Sequence, residues 1–259
     1  MKLLNKILGR KGHPTGTSRK AEASIPFTAQ IEPDAPFFAI GDVHGCIRQL
    51  GDLLVKIEKL EDVPQVICVG DLVDRGDDSA AVLNMLRRLN GEFGDLVLSL
   101  KGNHEAMMLD FIDDPDRSGD RWLRNGGLQT LSSYRVSRSP GTSLIALRDR
   151  LVEAMGQDMV DWVRALPVKW QSGNVAVVHA GADPLVPMNL QSDELLLWGT
   201  SDFTKIPRPD GTWIVHGHTI VREPKAENGR ISTDTGAYAT GRLTCAYVRP
   251  GDVSFIEAT

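Results

Sequence analysis

Cysteine is scarce in this sequence: three residues in 259, at Cys46, Cys68 and Cys245. Three thiols cannot all pair and none stands at a metal-ligand spacing, which excludes a disulfide framework and argues for a reducing, cytoplasmic setting. Cys68 and Cys245 lie inside apolar runs, as small core residues do. Long apolar runs are absent too, and none approaches the roughly 20 residues of a membrane span. Positive charge is thin across the body. Residues 1–24 take six of the 29 Lys and Arg and one of the 34 acids, leaving 23 basic against 33 acidic residues, a net charge of −10, in 25–259. Such a body is no nucleic-acid surface. No internal repeat or low-complexity segment is visible. What is there, 41% apolar and 24% charged residues, is the composition of an ordinary globular protein.

Residues 1–24 read as a basic, flexible extension. Leu3, Leu4, Ile7 and Leu8 share a helical face ringed by Lys2, Lys6 and Arg10, so contact with a membrane surface is the weaker alternative. Two turns broken by Gly9, Gly12, Pro14 and Gly16 are little to build on. The apolar stretch is too short for a secretory signal. From about Ile25 the chain reads as one domain, 25–259. Apolar runs at Phe37–Ile40, Val66–Val69, Leu96–Leu100, Val175–Val178 and Thr212–Val215 are buried strands. Ile47, Leu50, Leu53, Leu54, Ile57 and Leu60 recur at three and four, an amphipathic helix. Ser79 is placed to cap a second helix over Ala80–Leu89. Strand, turn and helix in alternation predict βαβ units with parallel strands. From about 106 to 166 the pattern is helical (Met107–Ile112, Asp120–Arg135, Thr142–Met155, Gln157–Leu166), an insertion between two strands. A short capped helix is expected at Ser192–Trp198, with antiparallel runs at Ile231–Thr233, Leu243–Val248 and Val253–Glu257.

Each of the five strands runs into polar chemistry. The turns are Gly41-Asp42-Val43-His44-Gly45, Gly70-Asp71-Leu72-Val73-Asp74-Arg75-Gly76, Lys101-Gly102-Asn103-His104-Glu105, His179-Ala180-Gly181 and His216-Gly217-His218-Thr219. Ligands bind at the carboxyl ends of strands in parallel sheets. Asp42 and His44, two apart on extended chain, face the same side and can hold one ion. The carboxylate of Asp71 can bridge to a second, with Asn103, His179 and His218 as further donors. Taken singly, each Gly-Asp or Asn is an ordinary turn residue; five in succession are a metal-centre pattern. Mixed carboxylate and imidazole donors suit two divalent ions, Mn(II) first with Fe or Zn as alternatives, rather than Ca(II). Such a pair lowers the pKa of a shared water and clamps an in-line displacement at phosphorus. Arg75 can grip phosphoryl oxygens bidentately. His104 is placed to protonate a leaving oxygen, with Asp74 to hold it cationic. His216 is evenly balanced between supporting the site and packing alone, and Cys46 reads as helix-start packing before redox sensing.

These blocks resemble the phosphoprotein phosphatase family of metallophosphoesterases in its compact bacterial and phage form. Gly41–Gly45, Gly70–Gly76 and Gly102–Glu105 match its signature blocks nearly letter for letter. His179-Ala180-Gly181, Gly217-His218-Thr219 and Asp234-Thr235-Gly236-Ala237 match later ones, and Trp122…Asn125-Gly126-Gly127 resembles a block of the bacterial branch. The resemblance implies a four-layer α/β/β/α sandwich of two mixed sheets. It implies Asp42, His44 and Asp71 around the first ion and Asp71, Asn103, His179 and His218 around the second. Arg75 and Asn103 would bind phosphate, and His104 with Asp74 would form the acid pair. One position departs: the family's second phosphate-binding Arg is Thr200 here, with Lys205 or Arg208 as candidate replacements.

The function these residues imply is hydrolysis of phosphomonoesters, phosphorylated Ser/Thr proteins first and small phosphoesters besides. The rival is a symmetrical diadenosine-tetraphosphate hydrolase, which shares the Gly41–Cys46 start. Asp74 beside Arg75 and Glu105 after His104 favour the ester enzyme, because a serine alkoxide needs an acid and a nucleotide leaving group needs little. A phosphate-binding scaffold of low activity, suggested by Thr200, is the third reading.

Overall fold

The computed structural model describes residues 26–60 and 64–259; the expected basic extension, 1–24, lies outside them. The chain opens with strand β1 (Phe37–Ile40), helix α1 (Ile47–Glu58), β2 (Gln65–Cys68), α2 (Ser79–Phe93) and β3 (Val97–Ser99). β1 pairs parallel with β2, and β2 with β3, the expected βαβ units. Helices α3 (Asn103–Asp113), α4 (Pro115–Trp122), α5 (Leu128–Ser133), α6 (Leu144–Met155) and α7 (Gln157–Ala165) follow. Then come β4 (Lys169–Ser172), β5 (Val175–Val178), α8 (Asp193–Trp198), β6 (Trp213–His216), β7 (Lys225–Glu227), β8 (Arg230–Ser232), α9 (Ala237–Thr240), β9 (Leu243–Arg249) and β10 (Asp252–Ala258).

Two mixed five-stranded sheets result, ordered β10-β9-β1-β2-β3 and β4-β5-β6-β8-β7. Alternation along the strands decides what fills the space between them. Phe37, Ala39, Ile67 and Val69 of the first sheet meet Val175, Val177, Val215 and Ile231 of the second. Phe38, Ile40, Val66 and Cys68 point the other way, onto α1 and α2. The outer face of the second sheet buries Ala176, Val178 and Ile214 under Leu196 of α8 and the irregular chain carrying Ala182, Met188 and Phe203. Strands covered on both faces explain why the sequence shows continuous apolar runs.

Several local expectations change. Ser79 does not cap α2: Asp78 precedes the helix, and the Ser79 hydroxyl accepts from Asp74 N at 3.0 Å instead. The expected helix Asp120–Arg135 is broken into α4 and α5 by a wide turn over Leu123–Gly127. Gly126 has φ 110° there, and a Cβ on it would come within 2.7 Å of Arg75 N. α3 begins at Asn103 rather than Met107, so Asn103 and His104 sit in a helical first turn. β4 and β7 had no legible apolar signature; β7 is exposed at all three residues. β8 is parallel to β6 as well as antiparallel to β7.

Candidate metal centre

The carboxyl ends of β1, β2, β3, β5 and β6 meet at one edge of the sandwich, and Asp71 is the pivot. Its Oδ2 lies 3.4 Å from His44 Nε2 and 3.9 Å from His104 Nε2; its Oδ1 lies 3.3 Å from His179 Nε2 and accepts from His104 N at 3.0 Å. Two sets of donor atoms converge, each within 4.8 Å: His44, Asp71 and His104, and Asp71, His179 and His218. Asn103 Oδ1 joins the second, 2.8 Å from His179 Nε2 and 3.0 Å from His218 Nδ1. Asp42 stands at the margin of the first. Its Oδ2 accepts from His218 N at 3.0 Å, while its Oδ1 is buried with no hydrogen-bond partner among the described residues.

The donors fit cations on a simple count. Neutral imidazole has one N–H and one lone pair. His179 faces Val69 O at 3.2 Å through Nδ1 and Asn103 Oδ1 through Nε2, so one lone pair opposes an oxygen. A second ring proton does not resolve this at neutral pH, because burial holds His179 down to about 4. His44 repeats the pattern: Nδ1 donates to Val73 O at 2.7 Å, buried Nε2 faces Asp71 Oδ2 at 3.4 Å with no hydrogen-bond partner among the described residues, and burial lowers the ring to about 3. Burial and the charges of Asp234 and Asp71 raise Asp42 well above the ordinary carboxylate range. Positive charge between these atoms relieves each conflict, and carboxylate, imidazole and amide oxygen together suit divalent ions.

Beside this cluster, His104 Nδ1 lies 2.7 Å from Asp74 Oδ2. Asp74 is fully buried and also receives Trp122 Nε1 at 3.0 Å and Thr130 Oγ1 at 2.6 Å. Burial raises Asp74 against those hydrogen bonds. For His104 burial acts downward, but the Asp74 hydrogen bond and the charges of Asp71 and Asp74 outweigh it, and the imidazole stays protonated above its ordinary value. Sequence reasoning missed Trp122 and Thr130 as supports. The Trp122…Gly127 block marked the region, but nothing in the sequence joined it to Asp74.

The turns themselves are strained. Seven non-glycine residues among those described have positive φ, and five of them are His44, Asp71, Asp74, Arg75 and His218. Left-handed backbone costs L-residues about 1–2 kcal/mol each and persists only where surroundings hold it. Glu105 is the main restraint. Its Oε2 accepts from Asp71 N at 2.9 Å and Gly102 N at 2.8 Å, and its Oε1 from Leu72 N at 2.8 Å and Val73 N at 3.0 Å. Glu105 therefore braces the turn and does not serve the leaving group. Burial and Asp71 push it up to about 7, against those four donors.

The remaining expectations divide. Arg75 is half-buried, its guanidinium 4.9 Å over the Tyr238 ring, which in turn lies 5.3 Å from His44. His216 faces Ser232 Oγ at 3.1 Å and packs against Phe203, away from the converging donors. Arg208 is buried and committed to Asp210 and to the carbonyls of Asp183 and Val186, so it cannot stand in at Thr200. Lys205 is exposed near Asp202 and does not line the hollow at Thr200. Cys46 is a half-buried thiol that burial and Asp78 push up to about 11, which suits packing rather than redox chemistry.

Known proteins bear on this arrangement. Residues 35–229 match the family described as calcineurin-like phosphoesterase. The chain is 28% identical over 233 residues to the asymmetrical bis(5'-nucleosyl)-tetraphosphatase PrpE of Oceanobacillus iheyensis, covering 79% of this chain and 85% of that protein. It is 28% identical over 218 residues to serine/threonine-protein phosphatase 2 of Salmonella typhimurium, covering 80% and 90%. A symmetrical bis(5'-nucleosyl)-tetraphosphatase of Janthinobacterium sp. matches at 33% over 147 residues, 57% of this chain and 44% of the relative. Among solved structures, a Saccharomyces cerevisiae protein serine/threonine phosphatase with similarity to human PP5 superposes with TM-score 0.61 at 17% identity, covering 90% and 84%, a likeness of fold. With the family match spanning most of the chain and over the turns that carry Asp42, Asp71, Asn103 and His179, this protein belongs to the calcineurin-like phosphoesterase family.

Proposed function

We propose that this protein hydrolyses phosphomonoesters, with phosphorylated Ser/Thr side chains as the substrate class. The observation that carries the reading is the buried His104–Asp74 contact, held by Trp122 and Thr130. An alkoxide is a poor leaving group and departs only if protonated, and this pair is built to keep a proton on His104. Asp42, His44 and Asp71 would hold one divalent ion, and Asp71, Asn103, His179 and His218 a second. When bound, the ions supply Lewis-acid polarisation and an activated water. The chain's own part is then positioning and proton delivery. Arg75, fixed over Tyr238, and the Asn103 amide orient the phosphoryl oxygens, and His104 passes its proton to the leaving oxygen while Asp74 stabilises the ring as it does so. Mn(II) is the first choice of metal and Fe or Zn the alternatives.

A second reading has its own support, because a relative similar over most of the chain is named an asymmetrical bis(5'-nucleosyl)-tetraphosphatase. One assay separates the two. Protein reconstituted with Mn(II) or Zn(II) is given a phosphothreonine peptide, p-nitrophenyl phosphate and a dinucleoside tetraphosphate, with Asp71→Asn as the blank. Metal-dependent release from the peptide supports the phosphatase reading. Preference for the dinucleotide by more than tenfold in kcat/KM transfers the function to the second. Silence on all three with metal bound removes both and leaves the phosphate-binding scaffold.

A further inference from the structure

Several guanidinium groups among the described residues are spent on carboxylates, as Arg164 is on Asp113, Arg208 on Asp210 and Arg242 on Glu257. Four of the described arginines stack on aromatic rings. Of these, Arg230 also donates to the carbonyls of Phe203 and Thr204, and Arg249 pairs with Asp252. The remaining two, Arg75 over Tyr238 and Arg121 over Trp198 at 4.4 Å, have no oxygen partner for the guanidinium among the described residues. A ring under a guanidinium fixes its plane and leaves its N–H groups pointing outward. Arg75 already stands at the metal centre. Arg121 is prepared in the same way.

Its position connects it to that centre. Trp198, which carries Arg121, lines a hollow of about 240 Å³ together with His218, Thr219, Thr200, Ser201 and Phe203. Hydroxyls and rings make this hollow, with no carboxylate, lysine or arginine in its lining. Beyond Trp198, Arg121 also borders a second hollow of about 320 Å³ between α3 and α4. The Trp198 ring is thus shared: it lines the hollow beside His218 and carries the Arg121 guanidinium. Three acids line that second hollow with Arg117 and Arg121: Asp113 is neutralised by both terminal nitrogens of Arg164, Asp114 accepts from Arg117 N, and Asp110 has no side-chain partner among the described residues.

We propose that Arg121 binds a second anionic group of the substrate, an oxyanion flanking the scissile phosphoryl. The inference rests on the phosphoesterase reading of the metal centre and adds a specificity residue to it. The shared chemistry is that of a carboxylate or phosphoryl group, which a planar guanidinium takes bidentately. In a phosphopeptide the source is an acidic neighbour of the phosphoresidue; in a condensed phosphate it is the adjoining phosphoryl.

The test compares wild type with Arg121→Ala and Arg121→Lys on p-nitrophenyl phosphate and on phosphothreonine peptides with Glu or Ala beside the phosphoresidue. Binding of orthophosphate and pyrophosphate is measured by calorimetry on the same proteins. The expected result is a rise of about tenfold in KM for the Glu peptide, or a comparable loss of pyrophosphate affinity, with kcat and the ligands that carry a single phosphoryl group and no second anion within about twofold. Loss confined to the peptide assigns the carboxylate source and loss confined to pyrophosphate the phosphoryl source. Arg121→Lys should recover part of either effect. Equal weakening for all ligands, or a lower melting temperature with every affinity unchanged, overturns the proposal. If the wild type turns over nothing, the phosphoesterase reading has failed, and the two calorimetric affinities still decide the role of Arg121.

Discussion

Glu105→Gln is the substitution whose outcome the geometry fixes most tightly. The carboxylate accepts four backbone N–H groups, two on each oxygen: Asp71 and Gly102 on Oε2, Leu72 and Val73 on Oε1. Glutamine has the same shape but one oxygen. Whichever way its amide turns, an NH2 faces two N–H donors, so two buried donors lose their partner. Each such group costs about 1–3 kcal/mol, giving about 2–6 kcal/mol out of the about 5–15 kcal/mol that holds a domain together. At about 2–4 °C per kcal/mol for a chain of this size, the melting temperature should fall by roughly 4–24 °C. The turn released is the one that keeps Asp71 at φ 49° and Asp74 at φ 71°, so bound metal should fall in parallel. Calorimetry and metal analysis on the purified variant measure both. A melting temperature within about 1 °C of wild type, with full metal content, would refute the bracing role.

Asp74→Asn should reduce kcat on an alkyl phosphate by about 10²–10⁴ and on p-nitrophenyl phosphate by much less, since nitrophenolate leaves without a proton; equal losses would remove His104 as the acid. Chelation should lower the melting temperature, because a ligand at a hundred times its Kd stabilises by about 2.7 kcal/mol and here relieves the crowding of Asp42 and Asp71; no shift would count against the donor set. Asp210 is held below the ordinary carboxylate range, burial opposing and the Arg208 and Thr212 hydrogen bonds prevailing. Its stabilisation is thus present above the unfolded-state pKa and lost as pH falls through the folded one. The melting-temperature gap between wild type and Asp210→Asn should be full near pH 7 and close below about pH 4; a gap independent of pH would break the argument.

What the sequence made legible follows from locality. Strand runs that are buried on both faces write themselves as unbroken apolar stretches, and the turns after them place Asp42, His44, Asp71, Asn103, His104, His179 and His218 by adjacency alone. The structure brings all seven to one edge. Relations across long separations left no trace. Trp122 and Thr130 reach Asp74 from 48 and 56 residues away, and Arg121 meets Trp198 only because two distant helices pack. Glu105 was legible as a residue near the site but not as an acceptor of main-chain donors, since its orientation depends on the β2 turn. β4 and β7 are edge strands without a buried run, so period-two reasoning had nothing to act on.

The order of strands in the first sheet also bears on how the chain is made. β1 emerges early, yet one of its two neighbours is β9, which follows every strand of the second sheet. Throughout synthesis of those intervening segments, the buried strand Phe37–Ile40 keeps one flank of main-chain donors and acceptors unpaired. Closure by the β9–β10 hairpin is a long-range event, slow by its topology. A nascent chain arrested before Leu243 would thus present an adhesive apolar edge, and the final hairpin is the piece that converts it from a hazard on the ribosome into the centre of a finished sheet.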